Sequence, residues 1–271
     1  MFFEFKGKKV YYEVHGEGPT LMMLNGIMMS TASWTPFLED LSKHNKIILV
    51  DFLDQGQSEK LIGETYNHDI HVETVKALYD HLGLDKFSLY GISYGGEIAL
   101  QYAIKYQETL DKLILFNTTA STSYWLEEVG NGWNAANKNW LTYYYLTIPY
   151  IYSPMFFTEK RDWVEARKKS LKEVFSNKDF IDSMERLTNS SVGYDVEKEV
   201  SKIKVKTLIV GCQYDFVTPF YEQEKLNRLI ENSELVYIPN CGHGSMYEKP
   251  SLFLSLLLGF VNISGDYEIK A

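Results

Sequence analysis

The stretch KFSLYGISYGGEIALQYAIKY, residues 86–106, decides how the rest of the chain is read. Lys86 to Tyr90 has the composition of a strand, Glu97 to Tyr106 that of a helix, and Gly91-Ile92-Ser93-Tyr94-Gly95 joins them. A serine on so sharp a turn is held in a strained backbone, and only small residues two places to either side avoid a clash. The turn lifts the hydroxyl clear of the sheet and aims backbone N–H groups of the helix N-terminus at whatever it attacks. Gly-x-Ser-x-Gly alone recurs by chance in roughly one chain in ten of this length. The flanking elements carry the weight, and they predict an activated serine.

Outward from this turn, apolar strands alternate with helices. Lys9 to His15, Pro19 to Asn25 and Lys46 to Asp51 read as strands, the last a continuous apolar run of the kind buried on both faces. Ser33 to Leu41 has helical spacing, with Trp34, Phe37, Leu38 and Leu41 on one face. Asp69 to Leu82 is a second amphipathic helix, closed by Gly83, and Asp111 to Asn117 a further strand. After a long interruption come the strand Lys206 to Gly211, a helix from Tyr221 to Glu231, the strand Glu234 to Pro239 and a helix after Pro250. The alternation predicts an α/β fold, a mostly parallel twisted sheet with helices on both faces.

The interruption runs from 118 to 204, between core segments 1–117 and 205–271. It holds four of the five tryptophans (Trp125, Trp133, Trp140, Trp163) and the run Tyr143-Tyr144-Tyr145. Glu159 to Phe175 and Asp179 to Leu187 are charged and helical, while Pro149 and Pro154 are expected to break the pattern before them. This predicts a mostly helical lid on the sheet's C-terminal edge. Its aromatics, with Met28, suggest an apolar pocket, and Met28, Trp125, Trp140 and Tyr144 are the candidates to line it.

Composition bounds the partners. A formal charge of −9 and a pI near 5.2 disfavour nucleic acid and anionic membranes. No basic start followed by an apolar stretch marks a leader, and the apolar run Ser251 to Phe260 is too short to span a bilayer. Cys212 and Cys241 form no disulfide framework, which suits buried free thiols and a cytoplasmic location. No metal-ligand spacing occurs; His68-Asp69-Ile70-His71 comes nearest and reads as a solvated helix start. The chemistry needs no cofactor, the expected partner is a small acyl substrate, and oligomeric state is left open.

A serine needs a base, and a histidine needs a buried carboxylate to fix its tautomer. His243, within Asn240-Cys241-Gly242-His243-Gly244, follows a strand, as does Asp215. Both fall where parallel strands end and where the serine turn emerges. Asp195 and Asp54 are the competing carboxylates, and Asp51 and Asp54 read as stabilisers of an early turn.

The order Ser93, Asp215, His243 resembles that of the α/β-hydrolases, and the likeness spans almost the whole chain. Leu24-Asn25-Gly26-Ile27 stands where that family usually has His-Gly-x, and Asp51 to Ser58 matches its Asp-x-x-x-x-Gly-x-Ser turn. The resemblance implies a Ser93–Asp215–His243 triad and an oxyanion hole from the backbone N–H groups of Ile27 and Tyr94. Asn25 departs from the family's histidine, without touching those backbone donors. Leu24 to Ser33 and Gly56-Gln57-Ser58 also resemble the hydroxyacyl-transferring synthases of rhamnolipid biosynthesis, over about the first quarter of the chain. The expected activity is a serine hydrolase of esters or thioesters. Acyl transfer to an alcohol, carbon–carbon bond hydrolysis and non-catalytic ligand binding are the alternatives.

Overall fold

Strands of this chain alternate between two cores. In β3 (Thr20–Leu24) and β4 (Lys46–Val50), Met22, Leu24, Ile48 and Val50 pack into one, and Leu21, Met23, Ile47 and Leu49 into the other. That is the period of two of a strand covered on both faces. The computed structural model describes residues 1–263, so the end of the expected 205–271 segment lies outside the described residues. The sheet opens with β1 (Phe2–Phe5), absent from the sequence reading, and β2 (Lys8–His15). β5 (Phe87–Ile92), β6 (Leu110–Phe116), β7 (Lys206–Tyr214) and β8 (Ser233–Gly242) complete it in the order β1-β2-β4-β3-β5-β6-β7-β8. The pairs β1/β2 and β2/β4 are antiparallel and the remaining pairs parallel.

Helices cover both faces. α2 (Asp69–His81), α3 (Tyr94–Tyr106) and α9 (Phe220–Leu229) place Val75, Ile98 and Leu226 in one core. α1 (Leu38–Ser42) and α11 (Pro250–Asn262) place Leu41, Phe253 and Leu257 in the other, with the short α10 (Ser245–Glu248) before α11. The expected helix Ser33 to Leu41 is mostly a 3-10 segment, Thr31–Phe37, because Pro36 interrupts the donor ladder; α1 is only its continuation.

Between β6 and β7 lie α4 (Tyr124–Ala136), α5 (Trp140–Ile151), α6 (Pro154–Glu159), α7 (Arg161–Ser176) and α8 (Lys178–Ser190). A bridge between Ser121 and Asp195 closes the neck of this insertion. Pro149 does not break α5 as expected. It sits inside the helix near its end, and the carbonyl it leaves without a donor belongs to Tyr145, an exposed residue that water can serve. Pro154 does mark a boundary, at the first turn of α6. Trp133, Tyr143, Tyr152, Leu171 and Phe175 form a third core, against which Ile27, Met28 and Tyr247 pack from below. Among the described residues, no helix is long and apolar enough to cross a membrane.

Candidate active site

Five strand ends converge on one edge of the sheet. After β5, Ser93 adopts φ 54° and ψ −125°, a left-handed backbone that a β-carbon resists. Its amide donates to Phe116 O at 3.0 Å and its carbonyl accepts from the amides of Gly96 and Glu97, so the strain is held by strand and helix together. The glycines are steric requirements. A β-carbon on Gly91 would lie 2.3 Å from Gly95 O, and one on Gly95 would lie 2.6 Å from Leu24 O and Asn25 O. Thr118 Oγ1 donates to Ser93 O from behind.

Beside this turn, the segment after β3 folds back through Met29 N–H donating to Gly26 O. Asn25 holds it. Its Oδ1 accepts from Trp34 Nε1 at 2.8 Å and its Nδ2 donates to Val50 O at 2.8 Å, while Gln55 Nε2 donates to Gly26 O at 2.9 Å. A buried asparagine therefore fixes the turn that carries Ile27. Among the described residues, the amides of Ile27 and Tyr94 donate to no protein acceptor, and Tyr94 is the first residue of α3, where such donors are left over.

β7 and β8 run beyond their expected ends, and those extensions bring Asp215 and His243 together. Asp215 is buried and accepts from five donors. Val217 N–H and Thr218 N–H reach Oδ1 at 2.9 and 2.8 Å. Asn117 Nδ2, Thr218 Oγ1 and His243 Nδ1 reach Oδ2 at 2.8, 3.0 and 2.8 Å. Because a carboxylate only accepts, Nδ1 of His243 carries the proton and Nε2 is left with its lone pair. Asn117, itself in a left-handed backbone at φ 48°, and Thr218 escaped the sequence reading. Neither belongs to a motif; long-range topology alone brings Asn117 to Asp215. Of the competing carboxylates, Asp195 is exposed and closes the neck. Asp54 accepts from Arg186 Nε at 2.9 Å, Arg186 NH2 at 2.6 Å and Tyr66 OH at 2.7 Å, which ties the early turn to α8. Asp51 accepts from Thr31 N–H and Gln57 N–H across the same turn.

Two cavities meet at Ser93. One, about 780 Å³ with its mouth, has Met28, Met29, Ser93, His243 and Tyr247 below and Ile148, Leu171 and Phe175 above. The other, about 640 Å³, is more polar, with Glu97, Asn131, Asn134, Asn189 and Ser191 in its wall. Ile27, Ser93 and Trp133 border both, and among the described residues the buried Trp133 Nε1–H has no partner. Of the expected pocket residues, Met28 lines the apolar cavity. The other three stand elsewhere. Trp125 is 43% exposed and donates to Phe216 O, Trp140 lies against Lys172, and Tyr144 lies against Tyr145 and Lys168. The sequence offered aromatic density, which does not distinguish the inner from the outer face of a helix.

His68 and His71 are buried, not solvated as expected. Gln101 Nε2 donates to His68 Nδ1 at 2.9 Å, which leaves His68 Nε2–H facing Ser191 Oγ at 3.0 Å, and His71 Nδ1 meets Tyr94 OH at 2.8 Å. Burial lowers both histidines to about 3, so both are neutral. Burial raises Glu97 to about 8 despite the opposing effect of Ser191, and so keeps this carboxyl protonated near neutrality.

A family profile described as the alpha/beta hydrolase fold matches residues 19–250. The chain is 46% identical to MGS-M2, an alpha/beta hydrolase enzyme from a Medee basin deep-sea metagenome library, whose crystal structure superposes with a TM-score of 0.96 over 99% of this chain and 100% of that one. It is 26% identical to the 2-hydroxy-6-oxo-6-phenylhexa-2,4-dienoate hydrolase of Comamonas testosteroni, over 93% of this chain and 91% of that enzyme. It is 28% identical to a proline iminopeptidase of Lactobacillus helveticus, over 93% and 94%.

Proposed function

The chain belongs to the α/β hydrolase fold family, and from that premise we propose that it is a serine hydrolase of small, partly apolar carboxylic esters or thioesters. The observation that carries this reading is the 2.8 Å contact of His243 Nδ1 with Asp215, together with the one cavity that His243 and the strained Ser93 both line. Ser93 Oγ attacks the carbonyl carbon as its proton passes to His243 Nε2. The oxyanion that forms is met by the amides of Ile27 and Tyr94, and a donor so placed lowers the barrier by about 3 kcal/mol. The intermediate collapses to an acyl-enzyme as His243 protonates the departing alcohol or thiol. Water, deprotonated by the same nitrogen, then releases the acid and restores Ser93.

In this reading the helical segment 118–204 is a lid, and its underside supplies the apolar wall for the acyl group. The polar cavity takes the leaving group. Acyl transfer to an alcohol is favoured by that second cavity, since an acceptor has room beside Ser93. Carbon–carbon bond hydrolysis is supported by the similarity to the Comamonas enzyme. Cytoplasmic residence is part of the proposal and rests on the buried, unpaired Cys212 and Cys241.

The test is labelling by a fluorophosphonate, followed by peptide mapping. The reading expects one adduct, on Ser93, formed at least about 100-fold faster in the native protein than in His243→Ala. Equal labelling of the two would remove the activated serine and favour a ligand-binding role.

A further inference from the structure

α7 is amphipathic, with one exception on its inner face. Arg167, Leu171, Val174 and Phe175 recur at helical spacing and line the apolar cavity, whereas Lys168 turns outward to Tyr145 OH. A permanent charge facing an apolar wall is costly unless something pairs with it. Among the described residues, buried Arg167 Nε has no hydrogen-bond partner. Its guanidinium carbon lies 5.8 Å from the Tyr247 ring centroid, and the guanidinium also donates a hydrogen bond to the Tyr152 hydroxyl, a neutral partner that does not balance its charge. Among the described residues, no carboxylate forms an ion pair with it.

We infer that Arg167 is an anion subsite in the acyl cavity, and that preferred substrates carry a carboxylate on the acyl group, away from the scissile bond. This rests on the serine hydrolase reading for its chemistry, but not for its binding. A guanidinium offers a planar fork that matches a carboxylate's two oxygens. Ile148, Leu171 and Phe175 around it suit a short hydrocarbon stem. With a formal charge of −9 the protein as a whole repels anions, so recognition has to be local.

Two measurements separate this inference from the reading beneath it. The first compares kcat/KM for monophenyl glutarate with that for phenyl valerate, which match in length and differ in the terminal charge. The native protein should prefer the glutarate at least 10-fold, and Arg167→Gln should lower that preference at least 10-fold, with Arg167→Lys retaining part of it. A native preference for valerate, or an equal ratio in Arg167→Gln, would overturn the subsite; a merely structural role would depress both esters together. The second titrates glutarate calorimetrically into Ser93→Ala with and without Arg167→Gln. Binding weakened at least 10-fold by loss of the guanidinium supports the subsite even if no ester is turned over, in which case the hydrolase reading alone falls. Equal glutarate binding by the two proteins would sink the subsite.

Discussion

Replacing Asp215 with asparagine tests the proposed base without disturbing the cavity. The side chain at this position meets donors on both sides: Val217 N–H and Thr218 N–H at Oδ1, and His243 Nδ1, Asn117 Nδ2 and Thr218 Oγ1 at Oδ2. Two backbone N–H groups cannot reverse, so the amide oxygen of the introduced side chain stays with them and its NH₂ faces His243. The Thr218 hydroxyl can rotate to accept, and the Asn117 amide can turn its Oδ1 toward the new NH₂ while the Ser245 hydroxyl rotates to accept from its Nδ2. His243 can accept only by moving its proton to Nε2, which removes the lone pair that would take the proton of Ser93. A triad held in the wrong tautomer loses about 10⁴-fold in kcat, or roughly 5 kcal/mol of barrier. The fold should survive, since the backbone contacts remain and the substitution is nearly isosteric. The assay is kcat and KM on a p-nitrophenyl ester, with thermal denaturation as the folding control. Turnover within about 10-fold of the native protein, in a variant that melts normally, would mean that Asp215 does not set the tautomer of His243.

Gly95→Ala should cost about 1–3 kcal/mol and also displace the serine turn, because its β-carbon would meet Leu24 O and Asn25 O at 2.6 Å; an unchanged melting temperature and turnover would contradict that packing. Asp54→Ala strands Arg186, whose side chain is only 17% exposed, and should cost about 3–5 kcal/mol, a fall in melting temperature on the order of 10 °C. A fall under about 2 °C would mean the pair is not structural. Stability should decline as pH drops from about 6.5 toward 3, more steeply below about 4.5. The break arises because Glu97, raised to about 8 by burial, loses a proton on unfolding above about 4.5 and offsets one histidine. His68 and His71, lowered to about 3 by burial, each take up a proton on unfolding across that window, so their contribution is whole above it and lost below it. Asp54 adds to the decline at its acid end: burial would raise its carboxyl, but Arg186 and Tyr66 outweigh this and hold it low. Denaturant midpoints measured from pH 7 to 4 check this, and a flat profile would place these histidines in water.

How far the chain is legible follows from the range of each interaction. Strand and helix periods are local, so the doubly covered sheet can be read from runs such as Lys46 to Val50 and from the flanks of Ser93. Ser93, Asp215 and His243 are readable as candidates because each ends a strand, and parallel strands end together. What is not legible depends on distant partners. Asn117 meets Asp215 only because β6 lies beside β7, and Asn25 meets Trp34 only after the chain has turned back. The inner face of the insertion is hidden for a related reason: α5 is apolar almost throughout, so composition does not say which of its aromatics look inward. Arg167 reads in sequence as one charge in a charged helix, and only the packing of α7 turns it toward the cavity.

Ser93 is proposed as the nucleophile of an acyl-transfer enzyme. The most direct test is turnover of p-nitrophenyl esters from acetyl to long-chain acyl by the native protein and by Ser93→Ala. Turnover is expected with an optimum at short to medium chains, set by the apolar cavity, and is expected to fall to background in a Ser93→Ala variant that melts like the native protein. Turnover that persists in that variant would contradict this role for Ser93.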